Sequence, residues 1–360
     1  MMLTIHTLFN DPNIVNAVIQ RVLQTRKDTI YWQQYLDFRR TTTRVFKDYI
    51  GQVTGVMAGS INSRYGEKPI RERRNIGSGY GEIAYLGDRY QISIDRLSEL
   101  QDLIDKFNEA KTADQVAAMQ DIVNFIYDDY RQVLLAAHKR MDIVFGSLLM
   151  TGKAQVKNKD DNAAGIDLLD IELPFKFITP EAGDKANFIT YLQQKINELR
   201  SIYGVFPKMI MSRGTFVKNI IGSSEFGDKF KMQLTGNEMY MSTGLITSQL
   251  ASTVFTGIGL PAIEIKEDYV LDQTGKNVQI YADDRITLLP QDKIGYMRFH
   301  TPYEAVDGVP GRNYTQADGE MLISGYKDGN GRYLEYTAEW IPQITNPNLI
   351  VNFDLSTMNA

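Results

Sequence analysis

The chain has 360 residues, of which 43% are hydrophobic and 23% are charged, and its formal net charge at pH 7 is -5. This composition is typical of a globular protein with one large core or two modest ones. The sequence contains no cysteine, which excludes disulfide frameworks, cysteine-ligated zinc, iron–sulfur clusters and thiol nucleophiles and is typical of a protein in a reducing cytoplasm.

The sequence has no pattern of a secretion signal or a membrane span. Its first twenty residues lack a basic head followed by an apolar run, and no window approaches the ~18 consecutive apolar residues that a spanning helix needs. We therefore expect neither secretion nor insertion into a membrane.

Charge is unevenly distributed along the chain. Residues 21–74 hold twelve Lys and Arg against five Asp and Glu, which is a net charge of +7, so the rest of the chain must carry -12 to reach the total of -5. A basic segment can bind phosphate backbones, bind acidic surfaces of identical subunits, or simply be solvated. Because the remainder is strongly acidic, we favour contact between subunits over binding to nucleic acid.

The first ninety residues contain a short helix followed by an extended segment. Residues 10–34 are predicted to form a helix with Asp11 as N-cap and Pro12 at the first helical position. Residues 41–50 are rich in β-branched and aromatic residues, which predicts a strand, and strand character returns at residues 82–94. Eight glycines interrupt residues 51–87. The pattern predicts a two-stranded extended loop with a basic tip, or alternatively a disordered surface loop.

A long helix follows this segment. Residues 96–110 form a short amphipathic pattern, and residues 113–149 carry apolar residues in steps of three and four with no proline. At ~1.5 Å per residue this helix is roughly 50 Å long, far beyond an average globular helix. The pattern predicts one long helix that supports the rest of the fold, although an ordinary core helix of a large α/β protein has the same pattern.

The second half of the chain alternates between helices and strands. A strand is predicted at residues 171–179, a helix at 185–203 that ends at Gly204, a strand at 208–211 and a helix at 213–221. Two hairpins are predicted, one from residues 262–271 and 277–281 and the other from residues 321–327 and 332–340. These segments predict a compact α/β unit followed by a β-rich third.

Catalytic and cofactor motifs are poorly represented. Neither Gly-Lys pair has the spacing of a phosphate-binding loop, and there is no Gly-x-Ser-x-Gly elbow. The three histidines, His6, His138 and His300, are scattered, and His138 lies between charged residues where we expect it to be solvated. The paired acids at residues 128–129 and 283–284 are also expected to be solvated. We therefore predict no catalytic residue, no cofactor and no metal.

Five segments, in order, match a known family. They are Thr41–Val45, Val144–Gly152, Gly259–Ile265 with Tyr269, Arg285–Gly295, and Glu339–Trp340 with Asn346–Asn348. With these segments the chain resembles the tailed-bacteriophage major capsid proteins, closest to the lambda-type major head proteins with the Hong Kong 97 phage coat fold. Each segment alone is weak, and the order of the segments along nearly the whole chain carries the resemblance.

The resemblance implies an α+β fold with five parts. These are an N-terminal arm at residues 1–40, an extended loop at 41–94, a peripheral domain at 95–178 with its spine helix at 113–149, an axial domain at 179–317, and a return to the peripheral domain at 318–360. The first ninety or so residues are expected to be completed by other copies of the chain.

The resemblance also implies a structural function. The protein would be a non-enzymatic shell subunit that forms the pentamers and hexamers of an icosahedral phage head around double-stranded DNA, assembled in the host cytoplasm and located in the virion. Its main partner would be itself; portal or decoration proteins are further partners, and the packaged DNA would be contacted non-specifically. The candidate contacts between subunits are basic: Arg39, Arg40, Arg44, Lys68, Arg71, Arg73 and Arg74.

Three alternatives stay open at the level of sequence. An encapsulin-like nanocompartment shell has the same fold and differs in its cargo. A hydrolase with a serine, a histidine and one of the paired acids is possible because triad members lie far apart in sequence. A nucleic-acid-binding protein would use the +7 segment and would bind DNA in a salt-dependent way.

Overall fold

A computed structural model describes residues 2–25, 29–50, 77–111, 113–157, 167–223, 225–226, 247–271, 275–329 and 331–359. The helices, in chain order, are α1 Ile5–Asn10, α2 Pro12–Thr25, α3 Ile94–Glu109, α4 Gln115–Thr151, α5 Phe188–Tyr203, α6 Arg213–Thr215, α7 Ser248–Gly257 and α8 Ser356–Asn359. A π-helix at Phe216–Ile221 continues α6, and five short 3₁₀ helices lie at Trp32–Gln34, Ala182–Lys185, Tyr303–Ala305, Asp318–Glu320 and Pro347–Leu349.

Within the described residues, the strands form two larger sheets and three two-stranded ones. They are β1 Leu36–Arg40, β2 Val45–Ile50, β3 Gly77–Glu82, β4 Ala84–Ile92, β5 Lys153–Lys157, β6 Asp167–Glu172, β7 Lys176–Ile178, β8 Lys208–Ser212, β9 Ala262–Lys266, β10 Tyr269–Leu271, β11 Asn277–Gln279, β12 Arg285–Leu289, β13 Gly295–His300, β14 Tyr314–Gln316, β15 Leu322–Asp328, β16 Gly331–Ile344 and β17 Val351–Asp354. One sheet has the order β1-β13-β16-β15-β14, with β4 also on β16, and the other has the order β7-β17-β12-β8-β9. The pairs are β2–β3, β5–β6 and β10–β11.

The long helix predicted at residues 113–149 is confirmed as α4. Its first turn is solvated, since Val116 is exposed, whereas from Tyr130 onward most of its apolar side chains lie in the core. The helix stops at Gly152, which has a φ of 70° and donates its N–H to the carbonyl oxygen of Leu148. A left-handed glycine at this position is a common helix end because no Cβ opposes it.

The N-terminal segment does not lie apart from the body. Leu8, Phe9, Val18 and Val22 of α1 and α2 are buried in the same hydrophobic cluster as α4, and Trp32 is fully buried there. These apolar side chains of residues 1–40 therefore have partners within the chain, and contact of this segment with other copies stays a prediction.

The start of α2 was predicted correctly and its end was not. Asp11 caps the helix, because its Oδ1 accepts from the backbone N–H of Asn13 at 2.9 Å. The helix ends at Thr25, well short of Gln34, and a second short helix, α1, precedes it.

The two strands of the predicted extended loop are present. β2 and β3 pair antiparallel from Val45↔Glu82 to Ile50↔Gly77. The first strand begins at Val45 and not at Thr41, because the hydroxyl of Thr41 donates to the carbonyl of Thr43 in a turn. β4 belongs to the six-stranded sheet, where it pairs with β16.

A second hydrophobic cluster surrounds the five-stranded sheet. It is made of side chains from α5, α7 and the sheet, among them Phe188, Met211, Phe255 and Phe353. The helix α5 ends at Gly204 as predicted, with a φ of 85°. This cluster is the α/β unit that the sequence indicated.

The sheets divide the chain differently from the predicted boundaries. β13, within the segment expected to be axial, pairs with β16 in the six-stranded sheet, and Val270, Ile280 and Leu289 of the same segment also lie in the first cluster. Val351 and Met358, expected in the first cluster, belong to the second. Of the first predicted hairpin, β9 pairs parallel with β8, and β10 and β11 alone form the hairpin.

Candidate interface between subunits

The basic residues at the end of β1 lie on one edge of the six-stranded sheet. β1 pairs in parallel with β13, and Arg39 and Arg40 are exposed at its end. The guanidinium of Arg39 lies 4.8 Å from the ring centroid of Tyr296. Arg40 lies 3.1 Å from the carboxylate of Glu320 and donates to the hydroxyl of Thr301. Both arginines are thus accessible on this edge, although each also has partners within the chain.

Arg44 is bound within the chain, and its contact with another subunit stays a prediction. Its Nε and one terminal nitrogen donate to the two carboxylate oxygens of Glu339 at 3.0 and 2.7 Å, a bidentate pair. The Nδ1 of His300 lies 3.1 Å from the same carboxylate. The hydrogen bond with Glu339 and the charge of its carboxylate raise the pKa of Arg44. The structure therefore places Arg44 directly before β2, at the end of the β2–β3 ladder that adjoins the six-stranded sheet, where it is bound to Glu339 of its own chain.

The remaining basic candidates, Lys68, Arg71, Arg73 and Arg74, lie outside the described residues. The ladder that precedes and follows them is a sheet of two strands. The structure therefore places Arg39 and Arg40 at the end of β1 and Arg44 directly before β2, and the basic residues between β2 and β3 stay a prediction.

An acidic face on α3 was not predicted from the sequence. Its exposed carboxylates follow the helix period, and their residues are Asp95, Glu99, Asp102, Asp105 and Glu109. Among the described residues none of these five carboxylates makes an ion pair, although Asp105 accepts a hydrogen bond from Gln101. The spacing of three and four residues was visible in the sequence and could have identified this face.

An exposed apolar patch lies near the base of the ladder and was also missed. Tyr303, Val306 and Val309 follow β13 and are exposed, as is Tyr85 at the start of β4, whose hydroxyl donates to Glu304 at 2.8 Å. Next to this patch is an open depression of about 550 Å³, lined by residues between 304 and 322. Solvent-exposed aromatic and branched side chains of this kind are common in contacts between proteins.

The histidine expected to be solvated is buried. His138 is 1% exposed and packs against the rings of Trp32, Phe38 and Trp340. The charged neighbours in the sequence suggested the wrong environment, because the His138 side chain lies on the side of α4 that faces the core.

Among the paired acids, Asp128 and Asp283 are exposed, as expected, whereas Asp129 and Asp284 are half-buried and form ion pairs within the chain. Asp129 accepts from Arg96 at 2.9 Å; burial raises its pKa, and the hydrogen bond from Arg96 opposes that rise. Asp283 accepts from the buried hydroxyl of Ser212 at 2.5 Å. The same hydroxyl caps α6 by accepting the N–H of Thr215, so this serine and aspartate stabilise a turn.

Metal binding and membrane spanning find no support in the described part of the chain. None of its His, Asp and Glu side chains form a group of three or more that could hold a metal ion. No helix among the described residues is long and apolar enough to cross a membrane.

The long spine helix, the six-stranded sheet with its two-stranded extension, and the second α/β unit together define the α+β Hong Kong 97 type of phage capsid fold. A prophage protein of E. coli CFT073 that has been assigned a capsid role has a TM-score of 0.57 with this chain at 13% identity, and the match covers 96% of this chain and 99% of that chain. The chain thus resembles phage capsid proteins in fold over nearly its whole length.

Two other solved structures are similar at lower scores. A phage-related protein from Bordetella bronchiseptica RB50 has a TM-score of 0.48 at 8% identity, over 96% of this chain and 98% of that chain. A chain of the satellite phage P4 procapsid has a TM-score of 0.44 at 9% identity, over 94% and 98%. No protein-family model matches the sequence, and no curated protein matches it.

Proposed function

We propose that this protein is the major capsid protein of a tailed bacteriophage. In this proposal it is a non-enzymatic subunit that assembles into the pentamers and hexamers of an icosahedral head enclosing double-stranded DNA. The observation that carries the proposal is the likeness in fold to the E. coli prophage protein, which extends over 96% of this chain and 99% of the other.

The β2–β3 ladder supports self-assembly. A two-stranded hairpin is marginally stable alone in water, and this ladder pairs with no third strand among the described residues. The segment between its strands, residues 51–76, holds five Lys and Arg against two Glu. We propose that this loop is stabilised by lying across a neighbouring copy.

The acidic face of α3 is a suitable acceptor for such a loop. It offers five carboxylates with no ion pair within the described chain. Each exposed ion pair is worth only ~0–1 kcal/mol, so the effect depends on several pairs in every copy of a large shell. Heterologous contacts of this kind close into rings when the rotation between subunits allows it.

The parts of the resemblance carry over as part of the proposal. The ladder and residues 51–76 correspond to the extended loop, the first cluster with α4 to the peripheral domain, and the second cluster to the axial domain. The protein would be located in the virion after assembly in the host cytoplasm. It would contact packaged DNA non-specifically, and portal or decoration proteins would be further partners.

An encapsulin-like shell is the alternative with the same fold. Its particles would contain protein cargo where a phage head contains genome. Analysis of the nucleic acid and protein content of natural particles distinguishes the two.

The proposal is tested by assembly of the purified full chain. Electron microscopy and sedimentation should show closed shells of uniform diameter. Deletion of residues 60–80 should give a soluble, folded chain that no longer forms shells. The control is Lys195→Met on the surface of α5, remote from the ladder in sequence, which should assemble like the parent.

Two results would count against the proposal. Intact shells from the deletion variant would contradict the role of the loop. A parent chain that stays monomeric at every protein and salt concentration would contradict the shell function itself.

A further inference from the structure

Glu339 is a buried carboxylate at the point where the extended loop leaves the six-stranded sheet. Its side chain is 3% exposed. It lies in the middle of β16, between His300 of β13 on one side and Tyr85 of β4 on the other. An ionised carboxylate in such a place is strongly destabilising unless charged or polar donors compensate it.

The donors to Glu339 come from the residue that precedes β2 and from the end of β13. Arg44, which immediately precedes β2, binds both carboxylate oxygens, and His300 contacts one of them. The backbone carbonyl of Arg44 also accepts the N–H of Ile83 at 3.0 Å. Because Ile83 separates β3 from β4, this bond closes the ladder where Arg44 is anchored. Through Arg44, Glu339 therefore anchors the β2–β3 ladder at the point where both of its strands adjoin the six-stranded sheet.

The anchored side chain of Arg44 is itself half-exposed, with 51% of its surface accessible. Its removal therefore takes little apolar area out of the core. What it removes is a directional, bidentate contact between the ladder and the body, since a planar guanidinium fixes the orientation of a carboxylate pair in a way that a lysine ammonium does not.

We infer that the Arg44–Glu339 pair fixes the direction in which the β2–β3 ladder leaves the body, and so determines where its basic loop meets a neighbouring copy. Arg44 is thus assigned the role of a positioning residue. The inference rests on the proposed function for its consequence in assembly, whereas its local consequence can be measured on the unassembled subunit.

The experiment uses the full chain and two variants. In the double variant Arg44→Met with Glu339→Met both charges are replaced by apolar side chains, which avoids an unpaired buried carboxylate. Arg44→Lys keeps the charge and loses the bidentate geometry. The matched control is Arg213→Met, which breaks the pair with Glu267 at an arginine of similar exposure in the second cluster.

The first readout is hydrogen exchange of the β2 and β3 amides in the dissociated subunit. The double variant should exchange at least tenfold faster in both strands and Arg44→Lys should lie between it and the parent, while exchange in β12 and the melting temperature stay close to parental values. Unchanged exchange in β2 and β3 of the double variant would overturn the inference.

The second readout is the diameter of assembled particles by electron microscopy. Both Arg44 variants should give a broader distribution of diameters or a lower yield of closed shells, and Arg213→Met should match the parent. Uniform shells at parental yield from the double variant would overturn the inference while leaving the proposed function intact. A parent that forms no shells would overturn the proposed function, and the exchange measurement would still decide whether the pair holds the ladder.

Discussion

The imidazole of His138 lies nearly parallel to the indole of Trp32, with 5.7 Å between ring centroids and 10° between the planes. The centroid of Trp340 is 4.8 Å from the same imidazole. This stack joins the spine helix α4 to the N-terminal segment on one side and to strand β16 on the other. His138→Ala should lower the free energy of unfolding by about 3 kcal/mol, because truncating a buried ring leaves a cavity.

Urea denaturation of the parent and of His138→Ala measures this loss. His6→Ala is the matched control, since His6 is exposed on α1, and it should unfold within about 0.5 kcal/mol of the parent. Equal midpoints for His138→Ala and His6→Ala would show that the stack does not stabilise the first cluster.

Asp142 should make stability depend on pH. It is fully buried in α4, where its carboxylate accepts the N–H of Trp32 at 2.9 Å and lies 3.3 Å from Nζ of Lys139. Burial raises the pKa of Asp142 to about 6, although these hydrogen bonds oppose the rise. The folded protein thus binds this proton more tightly than the unfolded chain, so stability falls as pH rises from about 4 to about 6, by up to about 3 kcal/mol.

Asp142→Asn retains an oxygen acceptor for Trp32 and removes the charge. Its stability relative to the parent should therefore increase from pH 4 to pH 7, measured by urea denaturation at each pH. Asp121→Asn, at an exposed position of the same helix, is the control. Parallel pH profiles for the parent and Asp142→Asn would contradict the prediction.

Lys266 connects the two hydrophobic clusters through a buried ion pair. Its Nζ lies 2.7 Å from Glu264 and donates to Gln34, and it is about 5 Å from the ring centroids of Tyr31 and Tyr35. Lys266→Met should lower the free energy of unfolding by about 3–5 kcal/mol, because the substitution leaves a partly buried carboxylate without its closest cation. Thermal unfolding followed by circular dichroism measures the loss.

The same substitution at Lys195 is the matched control for this prediction. Lys195 pairs with Glu198 at 2.9 Å on the surface of α5, where an ion pair is screened by water. Lys195→Met should show no measurable change in melting temperature. A Lys266→Met melting temperature equal to that of the control would indicate that the buried pair contributes nothing net.

Gly146 should not accept a side chain. A Cβ at this position of α4 would lie 2.4 Å from the carbonyl oxygen of Ile280. Alanine is favoured over glycine in a free helix by about 1 kcal/mol, but the collision should make Gly146→Ala destabilising by about 1–3 kcal/mol. Gly183→Ala, where a Cβ meets nothing within 4 Å, should be neutral in the same denaturation experiment; an equally neutral Gly146→Ala would mean that the helix and the Ile280 loop can separate freely.

The sequence predicted correctly those elements that depend on residues close together in the chain. The apolar period identified α4, Asp11 marked the start of α2, and Gly204 marked the end of α5. The parallel pairing of β1 with β13 and of β8 with β9 was not predictable in this way. Such pairs join segments far apart in the chain, and nothing in either segment identifies its partner.

In the candidate site, too, features set by nearby residues were predictable from the sequence, and features set by distant segments were not. The basic segment and the family resemblance make Arg44 a candidate contact between subunits, but nothing near it in the sequence identifies its partner Glu339, which lies 295 positions away. His138 was assigned to solvent from its charged neighbours, and its actual surroundings come from Trp32 and Trp340. The acidic face of α3, in contrast, repeats at helical spacing, so the order of its residues is enough to identify it.

Trp32 and Trp340 lie with their ring centroids 6.3 Å apart, although they stand near opposite ends of the sequence. A ribosome must therefore deliver almost the entire polypeptide before the surroundings of Trp32 can be completed. Until then the nascent chain carries the apolar faces of α2 and α4 without their final covering, and contacts of such long sequence separation form slowly. Chaperone engagement during translation is the expected consequence for newly made copies of this protein.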